Sequence, residues 1–209
     1  METIIKQRLN QVYNAESTEK LETAYDDWAD DFDRDSEQRG GRQPALVSNL
    51  VMRHVKKTNE PILDAGVGTG LLGEFLQIFD YSNLVGIDFS EAMLKVADRK
   101  NIYNDLQRMT LGETLDFPDD YFKVVISAGV FTTGHAPANS LDELVRVTQK
   151  NGYLIFSVND KVYANEFAIK QQTLENQSLW RLVESTEPCQ IMPRLHPEAK
   201  ARLFVYQVC

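Results

Sequence analysis

At 209 residues the chain is long enough for one α/β domain with a buried sheet and too short for two domains of ordinary size. Its 43% hydrophobic and 25% charged residues exclude a disordered or fibrous chain. A formal net charge of −9 argues against a nucleic-acid substrate, because sequence-independent affinity for phosphates comes from Lys and Arg.

Residues 1–209 are therefore expected to form a single domain, with N-terminal helices over 1–58 and the core over 59–209. The first ten residues lack a signal peptide's apolar region, and no run of about 18 apolar residues could span a bilayer. The two cysteines, Cys189 and Cys209, have no His or Cys neighbours at zinc-site spacing. The expectation is a cytoplasmic protein with free thiols, no metal and no membrane contact.

In chain order, 7–13, 18–32 and 44–56 carry helical patterns. The second places Ala24, Tyr25, Trp28, Ala29 and Phe32 on one side and Asp26, Asp27, Asp30, Asp31 and Asp33 on the other. Such a helix can lie as a flap over a sheet's ligand edge, or its aromatic residues can simply be core anchors. Short apolar runs at 61–65, 83–88, 106–110, 122–127 and 153–158 then alternate with helical patterns at 71–79, 91–100 and 141–149, which predicts βαβ units around a parallel sheet. Ser90 is placed to cap the second of these helices, and Asn151-Gly152 to stop the chain after the third. A further helix is predicted over 163–175 and two β-rich runs at 180–185 and 203–208. Pro188, Pro193 and Pro197 mark 187–201 as a loop.

Pro61–Gly73 runs from an apolar strand through Asp64, Ala65, Gly66, Gly68, Thr69 and Gly70 into a helix, the pattern that brings a ligand against main-chain amides at a helix start. About 20 residues on, the second strand ends at Asp88, where a carboxylate can accept bonds from both ribose hydroxyls. Gly68, Gly70 and Gly73 also satisfy the bare nicotinamide-dinucleotide spacing. Asp64 favours the other reading, since its charge repels a pyrophosphate and attracts a sulfonium and an ammonium. S-adenosylmethionine brings both cations.

Leu63–Gly70 resembles motif I of the class I S-adenosylmethionine-dependent methyltransferases, Val85–Leu94 resembles motif II, and Leu144–Leu154 resembles the helix and strand that follow the catalytic face. Tyr25–Asp33, Thr110–Gly112 and Gly129–Pro137 are more narrowly similar to the Williams–Beuren-region methyltransferase-like proteins. The resemblance implies a Rossmann-like, seven-stranded, mostly parallel sheet with an antiparallel last strand, helices on both faces and an N-terminal helical flap. It implies S-adenosylmethionine as cofactor and S-adenosylhomocysteine as product. By position, Tyr25 and Trp28 cover the cofactor, Asp64, Gly66 and Gly68 meet its methionine part, and Asp88 its ribose. Phe89 and Met93 flank the adenine, and backbone around Leu111 and Gly112 completes that pocket; Ala65, Thr69, Gly70 and Ala128 complete the expected cofactor contacts. Leu111 stands where many relatives carry an acidic side chain, and Lys123 where Asp is commoner.

Methyl transfer from a sulfonium needs alignment and exclusion of water more than acid–base help. His135, in the loop after the fourth strand, titrates near neutral pH and is the candidate base or acceptor-orienting group. Phe131, Asn159 and Tyr163 are the other candidate acceptor contacts. His54 and His196 are assigned no role. The expected acceptor is a small molecule. The alternatives are a protein or peptide side chain, cofactor binding without turnover, and nicotinamide-dependent oxidoreduction.

Overall fold

A computed structural model describes residues 2–57 and 59–209; Met1 and Thr58, the latter the expected end of the N-terminal region, lie outside the described residues. The strands are β1 (Ile62–Ala65), β2 (Leu84–Asp88), β3 (Asp105–Arg108), β4 (Phe122–Phe131), β5 (Thr148–Asn159), β6 (Trp180–Ser185), β7 (Cys189–Met192) and β8 (His196–Val208). They form one sheet in the order β3-β2-β1-β4-β5-β8-β6, with β7 paired to β8. The pairs from β3 through β5 are parallel, whereas β8 runs antiparallel to β5, β6 and β7. Strand order reverses between β1 and β4, and the crevice beyond the carboxyl ends at that point is where an α/β sheet takes a ligand.

The helices are α1 (Glu2–Tyr13), α2 (Thr18–Trp28), α3 (Phe32–Arg39), α4 (Gln43–His54), α5 (Leu71–Ile78), α6 (Glu91–Arg99), α7 (Ser140–Val147), α8 (Asp160–Val162) and α9 (Ala168–Asn176). Strand alternation sends Leu63, Val125, Leu154, Phe156, Phe204 and Tyr206 into the core that also holds Leu141 and Leu144 of α7 and Leu174 of α9. Ile62, Val124, Ile126, Ile155 and Val205 enter the opposite core, with Val47 and Val51 of α4 and Leu72 and Leu76 of α5. Each central strand is buried on both faces, which is why these segments read as apolar runs. Ser90 caps α6 through its Oγ, which accepts from Met93 N at 3.1 Å.

Two sequence expectations are corrected. Among the described residues the sheet has eight strands rather than seven, and residues 187–201 hold β7 and the start of β8 rather than a loop. The three prolines fit because none has to donate within a regular ladder. Pro188 precedes β7, Pro193 lies in the turn, and Pro197 falls where the β7–β8 register shifts between Gln190 and Met192. The strand expected at 153–158 begins five residues earlier, at Thr148, as α7 ends at Val147. Among the described residues, no helix is long and apolar enough to cross a membrane.

α1, α2 and the β7–β8 hairpin share a third cluster built from Ile5, Leu9, Val12, Leu21, Trp28, Ile191 and Met192. This cluster roofs the ligand edge of the sheet. Three carboxylates of the acidic stripe, Asp26, Asp30 and Asp33, join the roof to α6, and Asp31 ties the roof's helices to one another. Asp26 accepts from Ser90 Oγ (2.6 Å) and Ala92 N (3.2 Å), Asp33 pairs with Lys100 (2.7 Å), Asp30 with Arg99 (2.8 Å) and Asp31 with Arg8 (2.5 Å).

Candidate cofactor and acceptor cavity

β1 ends in a turn that three glycines make possible. Gly66, Gly68 and Gly70 have φ of +80°, +52° and +85°, a region that side chains disfavour. Gly66 and Val67 donate to Ile87 O at 2.8 and 2.9 Å, which locks the turn against the end of β2. At Gly68 nothing lies within 4 Å of where a Cβ would sit, so its bare face opens onto a cavity of about 260 Å³. Val130 would clash with any side chain at Gly66, at 2.2 Å.

Two carboxylates face this cavity. Asp64, 1% exposed, accepts from Tyr103 Oη through Oδ2 at 2.7 Å, while its Oδ1 is buried with no partner. Burial raises its pKa to about 7, against the pull of the Tyr103 hydroxyl. Asp88 accepts from Gly68 N (2.8 Å) and Ser90 N (2.9 Å), and burial raises it to about 6. An unpaired oxygen on a buried carboxyl group is costly unless a ligand completes it.

The roof supplies aromatic and cationic groups. Tyr25, Trp28 and Phe32 form a ring cluster, with Trp28 and Phe32 edge-to-face at 5.0 Å and Tyr25 against Trp28 at 6.4 Å. Trp28 Nε1 donates to Asp35 Oδ2 (2.9 Å), so the residue is at once a core anchor and a cavity wall. The Arg39 guanidinium stacks over Trp28 and Phe32 at 5.2 and 4.9 Å and lines the cavity; its Nε is buried without a partner. Burial lowers its pKa.

The loop after β4 closes the other side. His135 Nδ1 lies 2.8 Å from Thr133 O, and because a carbonyl only accepts, this nitrogen carries the hydrogen. Burial lowers the histidine's pKa, so the ring is neutral near pH 7 and Nε2 accepts from Tyr25 Oη at 2.7 Å. Burial raises the Tyr25 pKa, which keeps that phenol protonated.

Of the sequence-predicted residues, Tyr25, Trp28, Asp64, Gly66, Gly68, Thr69, Asp88, Phe89, Met93, Leu111, Ala128 and His135 line the cavity. Thr69 spends its hydroxyl on Asp33 (2.5 Å). The remaining six lie off its wall. Ala65 is buried in β1, its carbonyl accepting from Ser127 Oγ. Gly70 faces Tyr103 and Ala97, and Gly112 packs under Pro137. Phe131 is 1% exposed between Phe156 and Phe167. Asn159 caps α8 by accepting from Lys161 N, and Tyr163 stacks on Phe204 with Arg202 over its ring. Arg39, Thr132, Gln43 and Tyr13 line the cavity without having been singled out. Gly40, at φ +72°, ends α3 directly after Arg39.

Residues 63–156 match the family model described as a methyltransferase domain. The chain is 29% identical over 163 residues to methyltransferase-like protein 27 of Homo sapiens, covering 75% of this chain and 66% of that protein. It is 33% identical over 109 residues to a phosphatidylethanolamine N-methyltransferase of Cereibacter sphaeroides, covering 49% and 52%. The chain thus spans about half to two thirds of the length of these curated relatives. An S-adenosylmethionine dependent methyltransferase from Mesorhizobium loti shares the fold, with a TM-score of 0.60 at 16% identity over 76% of this chain and 96% of that one.

Proposed function

We propose that the chain, whose residues 63–156 match a methyltransferase domain, is a class I S-adenosylmethionine-dependent methyltransferase that transfers a methyl group to a small-molecule acceptor, with residues 1–58 and 59–209 acting as one unit. The observation that carries the reading is the buried, unpaired Oδ1 of Asp64 beside the open face of Gly68. A cationic amino group satisfies that oxygen; a dinucleotide's pyrophosphate does not. Asp64 holds the ammonium and Arg39 the carboxylate of the methionine part. Asp88 takes the ribose hydroxyls, Phe89, Met93 and Leu111 wall the adenine, and Tyr25 and Trp28 cover the sulfonium.

With the cofactor bound, the site has an activated methyl group that an acceptor displaces in line, leaving S-adenosylhomocysteine. The chain's part is to align the acceptor and keep water out. Leu9, Val12 and Leu21 roof the cavity, and Val130, Ile191 and Met192 add apolar wall, which suits a small molecule with an apolar body better than a macromolecular side chain. Where the nucleophile arrives protonated, His135 Nε2 is the proton acceptor, reached through the hydroxyl of Tyr25.

The test is transfer of labelled methyl from S-adenosylmethionine to a panel of small apolar thiols, phenols, amines and carboxylic acids, with a denatured-protein mixture in parallel. Label in the small molecules is the expected result. Label in protein alone replaces the acceptor assignment, and cofactor binding without transfer to any acceptor argues for a binding protein.

A further inference from the structure

Gly70 and Gly73 complete a spacing that in a dinucleotide site brings backbone against a pyrophosphate, yet here both face a side chain. Tyr103, in the connection between α6 and β3, packs against them. A Cβ at Gly73 would lie 2.3 Å from Tyr103 Oη, and one at Gly70 3.0 Å from its ring. In that seat the Tyr103 hydroxyl accepts from Gly73 N at 3.1 Å and donates to Asp64 Oδ2 at 2.7 Å. One oxygen of Asp64 is thereby committed and the other, Oδ1, is left buried and unpaired in a residue that lines the cavity.

We propose that Tyr103 is a positioning residue for the cofactor's amino group: seated between Gly70 and Gly73, its hydroxyl orients the Asp64 carboxylate so that Oδ1 is held for the ammonium. This inference rests on the S-adenosylmethionine reading of the cavity. The remaining charged groups fit it. Asp88, from β2, is of like charge to Asp64 and favours its protonation, as burial does; Tyr103 opposes both. Arg39, from α3, lines the same cavity, and Glu74 of α5, which faces Tyr103, is itself paired with Lys100 at 2.6 Å. Without the hydroxyl, Asp64 is both free to rotate and harder to ionise, and only the ionised form pairs with an ammonium.

The test is calorimetric binding to the full chain and to Tyr103→Phe, which keeps the ring against the glycines and removes only the hydroxyl. S-adenosylhomocysteine is titrated from pH 6 to 9 beside 5′-methylthioadenosine, which keeps the nucleoside and sulfur and lacks the ammonium and carboxylate. The variant is expected to bind S-adenosylhomocysteine about tenfold more weakly at pH 7, as loss of one charge-assisted bond implies. The pH below which affinity falls should move upward, with affinity partly recovered at pH 9. Binding of 5′-methylthioadenosine should stay within about twofold. Gly73→Ala, whose Cβ would push the Tyr103 hydroxyl and ring out of that seat, should give the same pattern. Equal weakening of both ligands, or unchanged affinity and pH dependence for S-adenosylhomocysteine, overturns the proposal. Failure of the wild-type chain to bind either ligand instead removes the cofactor reading, and this inference with it.

Discussion

Asp64 is placed where it weakens the empty protein. Its folded pKa of about 7 lies above the ordinary 3.8, so its contribution favours folding fully below pH 3.8 and is lost as pH rises to about 7. Asp64→Asn should therefore raise the melting temperature of the ligand-free chain, by several degrees at pH 7.5 and by little at pH 4, while weakening S-adenosylhomocysteine binding. Scanning calorimetry of both proteins across that range checks it; a gain independent of pH would mean that Asp64 is ionised at no cost. His135 carries the opposite sign. Burial lowers its pKa, so its neutral, proton-accepting form persists below the ordinary histidine range. Once an acceptor is known, wild-type turnover should hold across the ordinary histidine range and fall only below it, a limb that His135→Ala abolishes together with most of the rate. A pH profile unchanged in shape by the substitution would leave His135 a structural link to Tyr25. Both acids were legible in the sequence, Asp64 because it leads into the glycine turn and Asp88 because it ends the next strand about 20 residues on. Arg39 and Tyr103 were not, since their partners, Trp28 and Phe32 for one and Asp64 for the other, meet them only when helices close over the sheet.

Between elements, carboxylates add to the apolar cluster in holding the roof to the core. Asp26 of α2 does for α6 what a capping residue does from within, binding Ser90 Oγ and Ala92 N at the helix start next to Asp88. Removing it with Asp26→Ala should destabilise the docking of α2 by about 1 kcal/mol without unfolding the sheet. Hydrogen exchange is expected to speed up over 18–28 and 90–93 alone; uniform loss of protection would show that roof and sheet unfold together. The aromatic stripe on α2 was legible, and its ambiguity between flap and core anchor resolves into both, because Trp28 is buried and also walls the cavity. The use of the acidic stripe was hidden, because periodicity gives the face a carboxylate occupies and not its partner. The β7–β8 hairpin was missed for a related reason. Prolines mark loops on average, but these three sit before a strand, in a turn and at a register shift, where the missing N–H costs no ladder bond.

At the scale of the molecule, the alternation of short apolar runs with helices was sufficient to expect a parallel sheet, and the pairing of β1 with β2 sets the glycine turn after Asp64 beside Asp88 at the carboxyl edge. What no local pattern contained is the return of β8 between β5 and β6, which pairs the last strand with the distant β5 and leaves β6 at the edge. The hairpin formed with β7 then carries Ile191 and Met192 back to the cavity, so the end of the chain helps to wall a site whose floor is set near residue 64. The proposed function requires that this cavity take an adenosyl amino acid and not a dinucleotide. Parallel calorimetric titrations with S-adenosylmethionine, S-adenosylhomocysteine and a nicotinamide dinucleotide test it most directly. Saturable binding of the first two with no heat from the third is the expected result; binding of the dinucleotide in place of the other two would contradict the assignment of Asp64 and Arg39 and the function built on them.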